Sequence, residues 1–318
     1  MSGLVVVTGG AGFIGSHVAD AFVARGDRVL VIDDLSSGRA DQVPAGAALH
    51  ALDIRSPEAA ACVRGQAPEL IVHLAAQMDV RKSVADPVFD ADVNIGGTLN
   101  LLEAARALPR RPRIIFASTG GAIYGDGAPV PTDESAPCAP ASPYGVAKLA
   151  VERYLGYYAR VHGFDAMALR FSNVYGPRQD PHGEAGVVAI FCDRLLDGRP
   201  LTVYGDGRQT RDYVFVQDVV EAVLRASAAP PAPGTLSALN IGTGTETDVM
   251  TLASTLAAAA GTTPRVEHAP ARAGEQRRSA LRTAAAAAAL GWRPATPLGE
   301  GLRRTYDWFA ARRAEAAR

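Results

Sequence analysis

The feature that most constrains this chain is the stretch from Leu4 to Gly15, in which a short apolar run passes directly into a cluster of glycines. Leu4 to Val7 have the composition of a buried strand, and the residues from Phe13 onward have the spacing of an amphipathic helix. The glycines fit G-x-G-x-x-G and, starting one residue earlier, G-x-x-G-x-x-G: Gly9, Gly10, Gly12 and Gly15.

A glycine-rich turn between a strand and a helix suits a phosphate ligand. Its residues tolerate positive φ and let backbone N–H groups approach a pyrophosphate, which the positive end of the helix also attracts. The next apolar run, Val29 to Asp33, ends in a carboxylate where a dinucleotide-binding unit binds ribose. We therefore interpret the segment as a dinucleotide-binding βαβ unit rather than a purely structural turn.

Length, charge and cysteine content narrow the possibilities further. A chain of 318 residues predicts one elaborated domain or two. Its 32 Lys and Arg against 33 Asp and Glu argue against a role on nucleic acids or membrane surfaces that depends on net charge. We expect a cytoplasmic protein, because no apolar run has membrane-spanning length and no signal-peptide pattern precedes the first strand. The 3 cysteines are widely spaced, which predicts reduced packing residues and no metal site.

Strand-like runs alternate with helical patterns through the first half of the chain. Further strands are predicted at 48–52, 70–74, 113–117 and 166–171, and a helix at 93–107 with Pro109 as its stop. This alternation is typical of an α/β fold, a parallel sheet covered by helices on both faces.

Polar residues follow four of the predicted strands: Asp33, Asp53, the segment 73–77 and the pair Ser118-Thr119. Ligand-binding groups are expected there, because the crevice of an open parallel sheet lies outside the carboxyl ends of its strands. For Asp53 two interpretations stay open, a helix N-cap ahead of Pro57 and a contact to adenine. His73 has apolar neighbours and is expected to be a hydrogen-bonded structural histidine rather than a catalyst.

A second stretch with chemical content begins at Ser142-Pro143, which is typical of a helix start. Tyr144 then lies in the first turn, and Lys148 lies four residues later on the same face. A tyrosine that acts as a base must lose a proton, and lowering its pKa from ~10 to ~7 takes roughly 4 kcal/mol. An ammonium ~5 Å away supplies about 3 kcal/mol at an effective dielectric of ~20, so a second positive source, such as an oxidised nicotinamide or the helix N-terminus, is required.

Six segments, in order, resemble the extended short-chain dehydrogenases/reductases, and among them the nucleotide-sugar epimerases that act on UDP-hexoses. They are Thr8–Gly15, Asp33–Gly38, His73–Gln77, Ser118–Gly125, Tyr144-x-x-x-Lys148 and Asn173–Arg178, and the resemblance runs from about Leu4 to Pro294. It implies an NAD-binding Rossmann domain, a doubly wound parallel sheet, at 1–172, to which 212–242 returns. It also implies a smaller C-terminal α/β domain for the nucleotide sugar at 173–318.

The resemblance assigns residues to the cofactor. The pyrophosphate would be bound by Gly9, Gly12, Phe13, Ile14 and Gly15; the adenosine ribose by Asp33, with Asp34, Ser37 and Gly38 nearby; adenine by Asp53 and Ile54. Leu74, Ala75, Ala76, Gln77, Asn94 and Phe171 would line the groove, with Tyr144 and Lys148 at the nicotinamide ribose. The Asp33 carboxylate would repel a 2′-phosphate and so favours NAD over NADP, although Arg39 nearby weakens this preference.

The resemblance also assigns a substrate side. The nucleotide sugar would contact Asn173, Val187, Val188, Thr202, Val203, Tyr204, Arg211, Arg272 and Glu275, together with Thr119 and Tyr144. Arginine suits this task because its planar fork donates pairwise to phosphate oxygens. Residues 214–216, a helix at 218–228 and residues 239–241 are expected to return to the first domain's sheet.

Two departures from the family pattern bear on the chemistry. Many of these epimerases have three serines in the loop after the fifth strand, whereas this chain has Ser118, Thr119 and two glycines. Thr119 or Ser118 must then hold the substrate O4, and Thr119 is preferred. The loop also lacks the acid that dehydratases and decarboxylases of the superfamily use. Ser279 replaces a bulky aromatic residue, so the pocket is expected to admit N-acetylated hexoses too.

The predicted function is NAD-dependent 4-epimerisation of a UDP-hexose through a transient 4-keto sugar, with Tyr144, Lys148, Thr119 and Ser118 as catalytic residues. The alternatives are a UDP-glucuronate 4-epimerase, a nucleotide-sugar 4-reductase or dehydrogenase, and, less favoured, a non-catalytic nucleotide sensor. The resemblance implies a homodimer formed through helices that begin near Val93 and Tyr144.

Overall fold

The computed structural model describes residues 3–182, 186–271 and 276–316. Its strands are β1 (Leu4–Thr8), β2 (Arg28–Asp33), β3 (Ala47–Ala51), β4 (Leu70–His73), β5 (Arg113–Thr119), β6 (Ala166–Phe171), β7 (Asn173–Tyr175), β8 (Leu201–Tyr204), β9 (Thr210–Arg211), β10 (Tyr213–Phe215), β11 (Leu236–Ile241), β12 (Thr247–Asp248) and β13 (Val266–Ala269). Its helices are α1 (Phe13–Ala24), α2 (Pro57–Gln66), α3 (Val80–Ala85), α4 (Pro87–Ala91), α5 (Thr98–Arg106), α6 (Gly120–Ile123), α7 (Pro143–His162), α8 (Val187–Leu196), α9 (Val216–Ala228), α10 (Val249–Ala259), α11 (Ala284–Leu290) and α12 (Leu298–Ala316). A 3₁₀ turn covers Ala40–Gln42, and a π-helical turn covers Asp92–Gly97.

A parallel sheet of seven strands organises the molecule, in the order β11-β6-β5-β4-β1-β2-β3. The chain leaves β1 toward β2 and β3 and then returns to the other side of β1 with β4. Ligands of such sheets bind at this reversal, outside the carboxyl ends of the strands. The α/β prediction and the six strands expected up to residue 171 are confirmed, with shifts of one or two residues at their ends.

Side-chain alternation along the strands builds two apolar layers. Val5 and Val7 of β1 face a core formed with α1, α9 and α11, whereas Val6 faces a core formed with α2, α5 and α7. Because the middle of the sheet is covered on both faces, β1, β2, β4 and β6 consist mainly of buried apolar residues, whereas the edge strand β3 has none.

The C-terminal unit has its own core, in which α8, α10 and α12 pack around Phe191, Phe215, Leu252 and Leu302. Three two-stranded sheets accompany it: β7 with β10, β8 with β13 and β9 with β12. The expectation for 239–241 is confirmed, because β11 joins the large sheet beside β6. The expectation for 214–216 is wrong, because β10 pairs with β7 outside that sheet.

The helix expected at 93–107 is interrupted. Its first part is the π-helical turn Asp92–Gly97, and only Thr98–Arg106 is α-helical. The turn brings Gly97 so close to Ile54 that a Cβ atom there would lie 2.6 Å from the isoleucine side chain. Among the described residues, no helix combines the length and the apolar composition needed to cross a bilayer.

Gly9 and Gly163 allow the cost of a left-handed backbone to be separated from that of a close contact. Their φ angles are 69° and 70°, but a Cβ atom would meet the Ala75 nitrogen at 2.7 Å from Gly9 and nothing within 4 Å from Gly163. Gly163→Ala is expected to lose roughly 1–2 kcal/mol of unfolding free energy from the φ angle alone. Gly9→Ala should lose distinctly more in urea unfolding. Equal losses in the two variants would contradict the close packing of Gly9 against 74–75.

Candidate active site

The glycine loop is shaped by close backbone approach. The Gly9 N–H donates to the Ile32 carbonyl oxygen at 2.8 Å, and a Cβ atom at Gly15 would overlap the Gly9 carbonyl group. Gly12 is the N-cap of α1 and offers no side chain to its first N–H groups. Those N–H groups have no partner within the helix, so the loop is a cradle for an anion.

Asp33 lies at the end of β2, next to this cradle. Its carboxylate accepts N–H bonds from Ala11 and Leu35, both at 2.9 Å. Burial raises the pKa of Asp33, and the two N–H donors oppose that shift. A Cβ atom at Gly38 would lie 2.8 Å from the Asp33 Oδ1 atom, so a side chain at 38 would crowd the carboxylate.

In the loop that follows Asp33 the charged side chains are exposed, whereas Asp33 itself is buried. Asp34 is exposed and accepts bonds from the N–H and hydroxyl of Ser36, and Ser37 is exposed as well. The Arg39 guanidinium is bound by Asp41 at 2.8 Å. Both side chains of this ion pair are exposed, and exposed pairs are weak, so the pair does not alter the expectation drawn for Arg39 from the sequence.

Asp53 is not a helix cap. Ser56 caps α2 by accepting the Ala59 N–H at 3.1 Å. The Asp53 carboxylate is instead bound by Arg55 at 2.6 Å, and this guanidinium lowers the pKa of Asp53. The N-cap interpretation is therefore wrong, whereas the adenine contact of Asp53 and Ile54 stays a prediction.

His73, at the end of β4, is held between two threonines. Its Nδ1 atom lies 2.7 Å from the Thr8 hydroxyl, and its Nε2 atom lies 2.8 Å from the Thr98 hydroxyl. The Thr98 hydroxyl donates to the Asn94 carbonyl oxygen at 2.6 Å, so it must accept from Nε2–H. Nδ1 is then the acceptor, and burial lowers the pKa of His73 to about 3. The interpretation of His73 as a structural histidine is confirmed.

The same hydrogen bonds shape the loop that follows β4. The Thr8 hydroxyl accepts the N–H groups of Leu74 and Ala75, both at 3.2 Å. Ala76 is half-buried in this loop. Asn94, on the π-helical turn, accepts the Gln77 N–H and donates to the Gln77 carbonyl oxygen, both at 2.9 Å.

Asn94 therefore positions the loop rather than offering its amide to a ligand. Its second amide hydrogen is donated to Asp90 at 3.0 Å, so both donors are used. The Gln77 side chain is likewise bonded, to Asp79 and Asp90. Direct cofactor binding by the Asn94 amide is the part of the sequence assignment that this geometry does not support.

Helix α7 carries the chemical groups. Ser142 caps it by accepting the Gly145 N–H at 3.2 Å, Pro143 opens it and half-buried Tyr144 lies in its first turn, as expected. The buried Lys148 ammonium donates to the Ala117 carbonyl oxygen at 2.9 Å and lies 4.7 Å from the Phe116 ring centre and 5.8 Å from that of Tyr144. Burial lowers the pKa of Lys148 to about 8.

Glu152, one turn further along the same face, was missed by the sequence analysis. It is buried, and it accepts the Ser118 hydroxyl at 2.6 Å and two N–H bonds from Arg170 at 3.0 and 2.6 Å. The i, i+4, i+8 spacing of Tyr144, Lys148 and Glu152 was the signal that could have found it. Because Ser118 gives its hydrogen to Glu152, we no longer assign Ser118 a contact with substrate O4.

Thr119 remains the hydroxyl at the end of β5. It is the N-cap of the short helix α6 but does not bond to it through its side chain. A Cβ atom at Gly121 would lie 3.9 Å from both the Thr119 hydroxyl and the Asn173 Oδ1 atom. The two polar side chains therefore converge over a residue that has no side chain of its own.

The predicted substrate residues occupy the C-terminal unit. Val187 and Val188 begin α8, Thr202 to Tyr204 lie in β8, and Arg211 in β9 donates to the Thr210 and Gln276 carbonyl oxygens, both at 2.8 Å. The side chains of Val188 and Val203 are buried in the core of this unit, and Phe171 is buried in the core beside the sheet. These three can meet a ligand mainly through their backbone. Arg272 and Glu275 lie outside the described residues.

Asp212 is a second residue that the sequence analysis missed. Its fully buried carboxylate accepts N–H bonds from Thr243, Gly244 and Leu281. Its carbonyl oxygen accepts the Asn173 N–H at 2.9 Å. Burial raises the pKa of Asp212, and the hydrogen bonds of Thr243 are the main opposing influence. Asp212 thus holds the polar residue Asn173 against the sheet.

Comparison with known proteins agrees with this geometry. The chain belongs to the NAD dependent epimerase/dehydratase family, whose profile matches residues 5–242. It is 45% identical over 309 residues to the UDP-glucose 4-epimerase of Mycolicibacterium smegmatis, covering 96% of this chain and 97% of that protein.

Two solved structures are similar over nearly their whole length. The UDP-glucose 4-epimerase of Thermotoga maritima with UDP-glucose has a TM-score of 0.93 at 43% identity and covers 97% of this chain and 99% of its own. That of Thermus thermophilus in complex with NAD has a TM-score of 0.90 at 44% identity and covers 96% and 99%.

The residues of this chain fit NAD. The cradle at Gly9 and Gly15 leaves no room for side chains, the start of α1 offers N–H groups, and the buried carboxylate of Asp33 next to it could accept hydrogen bonds from ribose hydroxyls. No group of His, Cys, Asp and Glu side chains that could hold a metal occurs within 3–182, 186–271 and 276–316.

Proposed function

We propose that this protein is an NAD-dependent 4-epimerase of UDP-hexoses. The observation that carries the proposal is the Lys148 ammonium, buried beside the Tyr144 ring at the end of the strand that presents Thr119. When bound, NAD supplies a hydride acceptor that takes hydrogen from the sugar C4 and returns it to the opposite face.

The side chains have separate tasks in this reaction. Tyr144, as phenolate, takes the proton of the C4 hydroxyl and later returns it to the oxygen of the 4-keto sugar. Lys148 stabilises the phenolate and binds the nicotinamide ribose, and Thr119 donates a hydrogen bond to O4. Residues 118–121 contain no acid that could drive elimination or decarboxylation.

Epimerisation also requires the sugar to turn over while its nucleotide stays in place. Strong binding at the diphosphate and weak binding at the hexose satisfy this requirement. We assign the diphosphate and nucleoside to residues 173–318, with Asn173, Val187, Val188, Thr202–Tyr204, Arg211, Arg272 and Glu275 as their contacts. Residues 1–172, together with α9 and β11, form the NAD-binding domain in this proposal.

The exposed surface of α7 supports a homodimer as part of this proposal. Its exposed apolar side chains recur at helical spacing: Val146, Tyr154, Tyr157 and Val161. A second copy of the chain, packing its own α5 and α7 against α5 and α7 of the first, would cover these exposed side chains. A monomer in sedimentation analysis would contradict this assembly. The free cysteines Cys62, Cys138 and Cys192 agree with a reducing compartment, and we assign the protein to the cytoplasm.

The proposed function is tested by NMR of the sugar C4 proton. Purified protein with UDP-galactose and no added cofactor is expected to give UDP-glucose without net formation of NADH, because the hydride returns to the same sugar. Tyr144→Phe should lower kcat by about 10²–10⁴-fold, since it removes the proton acceptor. Tyr306→Phe, the same change on α12, should retain activity. Stoichiometric NADH formation would instead favour a dehydrogenase, and full activity of Tyr144→Phe would contradict the mechanism.

Ser279 tests which hexoses the pocket accepts. The residue is buried and small, so the protein is expected to convert UDP-N-acetylglucosamine in addition to UDP-glucose. Ser279→Tyr should lower kcat/KM for the acetylated sugar at least tenfold more than for UDP-glucose, because the ring fills the space of the acetyl group. Ser254→Tyr, at an exposed position of α10, is the control. Equal effects of Ser279→Tyr on both sugars would contradict the hypothesis that Ser279 makes room for the acetyl group.

A further inference from the structure

Asp90 is a buried carboxylate that the mechanism above does not use. It lies on α4 and is 1% exposed. Its Oδ1 atom accepts hydrogen bonds from the Gln77 and Asn94 side chains at 2.9 and 3.0 Å. Its Oδ2 atom is buried without any hydrogen-bond partner in the described structure. A buried carboxylate oxygen with no donor needs an explanation, because burial without a partner is costly.

Lys148 has the complementary property. Its ammonium has three hydrogens, of which one is donated to the Ala117 carbonyl oxygen. Its other close neighbours are the Phe116 and Tyr144 rings, and it forms no direct ion pair within the described residues. Helix α4 packs against α7, and among the described residues Asp90 is the charged group that raises the pKa of Lys148 against the effect of burial.

The other titratable groups around Lys148 do not supply this negative charge. His73 on β4 is neutral, because burial lowers its pKa to about 3. Glu152, on α7 itself, is bound by Arg170 and Ser118. Lys82 on α3 is a cation and lies 4.5 Å from the Phe89 ring centre.

We propose that Asp90 is a positioning residue that keeps the proton on Lys148, so that Tyr144 and not Lys148 is the first of the pair to ionise. The half-buried Tyr144 and the buried Lys148 lie side by side, and only the state with phenolate and ammonium together can take the sugar proton. Burial alone favours a neutral lysine. The negative charge of Asp90 opposes that tendency through the low-dielectric interior and so preserves the productive state.

The inference rests on the proposed epimerase function. Two measurements distinguish a failure of the inference from a failure of the proposed function. The first is the pH dependence of kcat/KM for C4 inversion, whose basic limb reports loss of the Lys148 proton. The second is the ultraviolet titration of the Tyr144 phenol, taken as the difference between each protein and its Tyr144→Phe counterpart, which needs no turnover. Both are made on the NAD-loaded protein.

Asp90→Asn is the test variant, because it removes the charge and keeps the shape and the acceptor at Oδ1. Asp86→Asn is the matched control, because Asp86 is the exposed N-cap of the same helix and asparagine caps as well as aspartate. Asp90→Ser removes the charge without added volume and takes the place of Asp90→Asn if that variant does not fold.

In Asp90→Asn the basic limb is expected to move to lower pH by about one unit, and Tyr144 to ionise at higher pH, because Lys148 gives up its proton first. Asp86→Asn should match the parent in both. An unmoved basic limb and an unmoved tyrosine titration in Asp90→Asn would overturn the inference, even if kcat were lower. If the parent did not invert the sugar, the proposed function would fail, and the tyrosine titration would still decide the role of Asp90.

Discussion

The site depends on a lysine charge that is kept inside the protein. An ammonium removed from water loses several kcal/mol of solvation unless other groups replace it. Around Lys148 these groups are the Ala117 carbonyl oxygen, the Phe116 ring and the more distant Asp90 carboxylate. Ala117 and Phe116 belong to β5, against which α7 packs, and Asp90 lies on α4, which packs against α7. The central sheet therefore contributes directly to the electrostatics next to Tyr144.

The same sheet brings the cofactor loop and the substrate side to one edge. Thr8 at the end of β1 fixes the loop after β4 through its hydroxyl, and His73 carries that connection on to Thr98 and the π-helical turn. On the other side of the sheet, Asp212 holds Asn173 against the segments that follow β11 and precede α11. The buried polar residues Thr8, His73 and Asp212 thus hold in place the loop after β4 and Asn173, which face the proposed ligands.

The sequence pattern was sufficient to predict the features that are determined by residues close in sequence. The buried strands, the glycine loop, the Ser142-Pro143 helix start and the Tyr144–Lys148 face depend on residues close in sequence, and the structure has them where they were expected. Other features depend on partners distant in sequence. Packing between α7 and β5 makes Ser118 donate its hydroxyl to Glu152 and not to a sugar. Packing of the loop after β4 against the π-helical turn makes Asn94 bind Gln77 and not a ligand. The pairing of β10 with β7, outside the large sheet, likewise joins segments about 40 residues apart. The cap of α2 is a local feature that the sequence analysis assigned wrongly, because Ser56, and not Asp53, directly precedes Pro57.

The central claim is that the charge on Lys148 makes Tyr144 acidic enough to act as a base. It is tested most directly by ¹³C NMR of the protein labelled at the tyrosine Cζ, loaded with NAD, with the Tyr144 signal assigned from its absence in Tyr144→Phe. The parent is expected to show Tyr144 ionising close to neutral pH, and Lys148→Met to show it at or above the ordinary value of ~10. The same ionisation pH for Tyr144 in the two proteins would contradict the account.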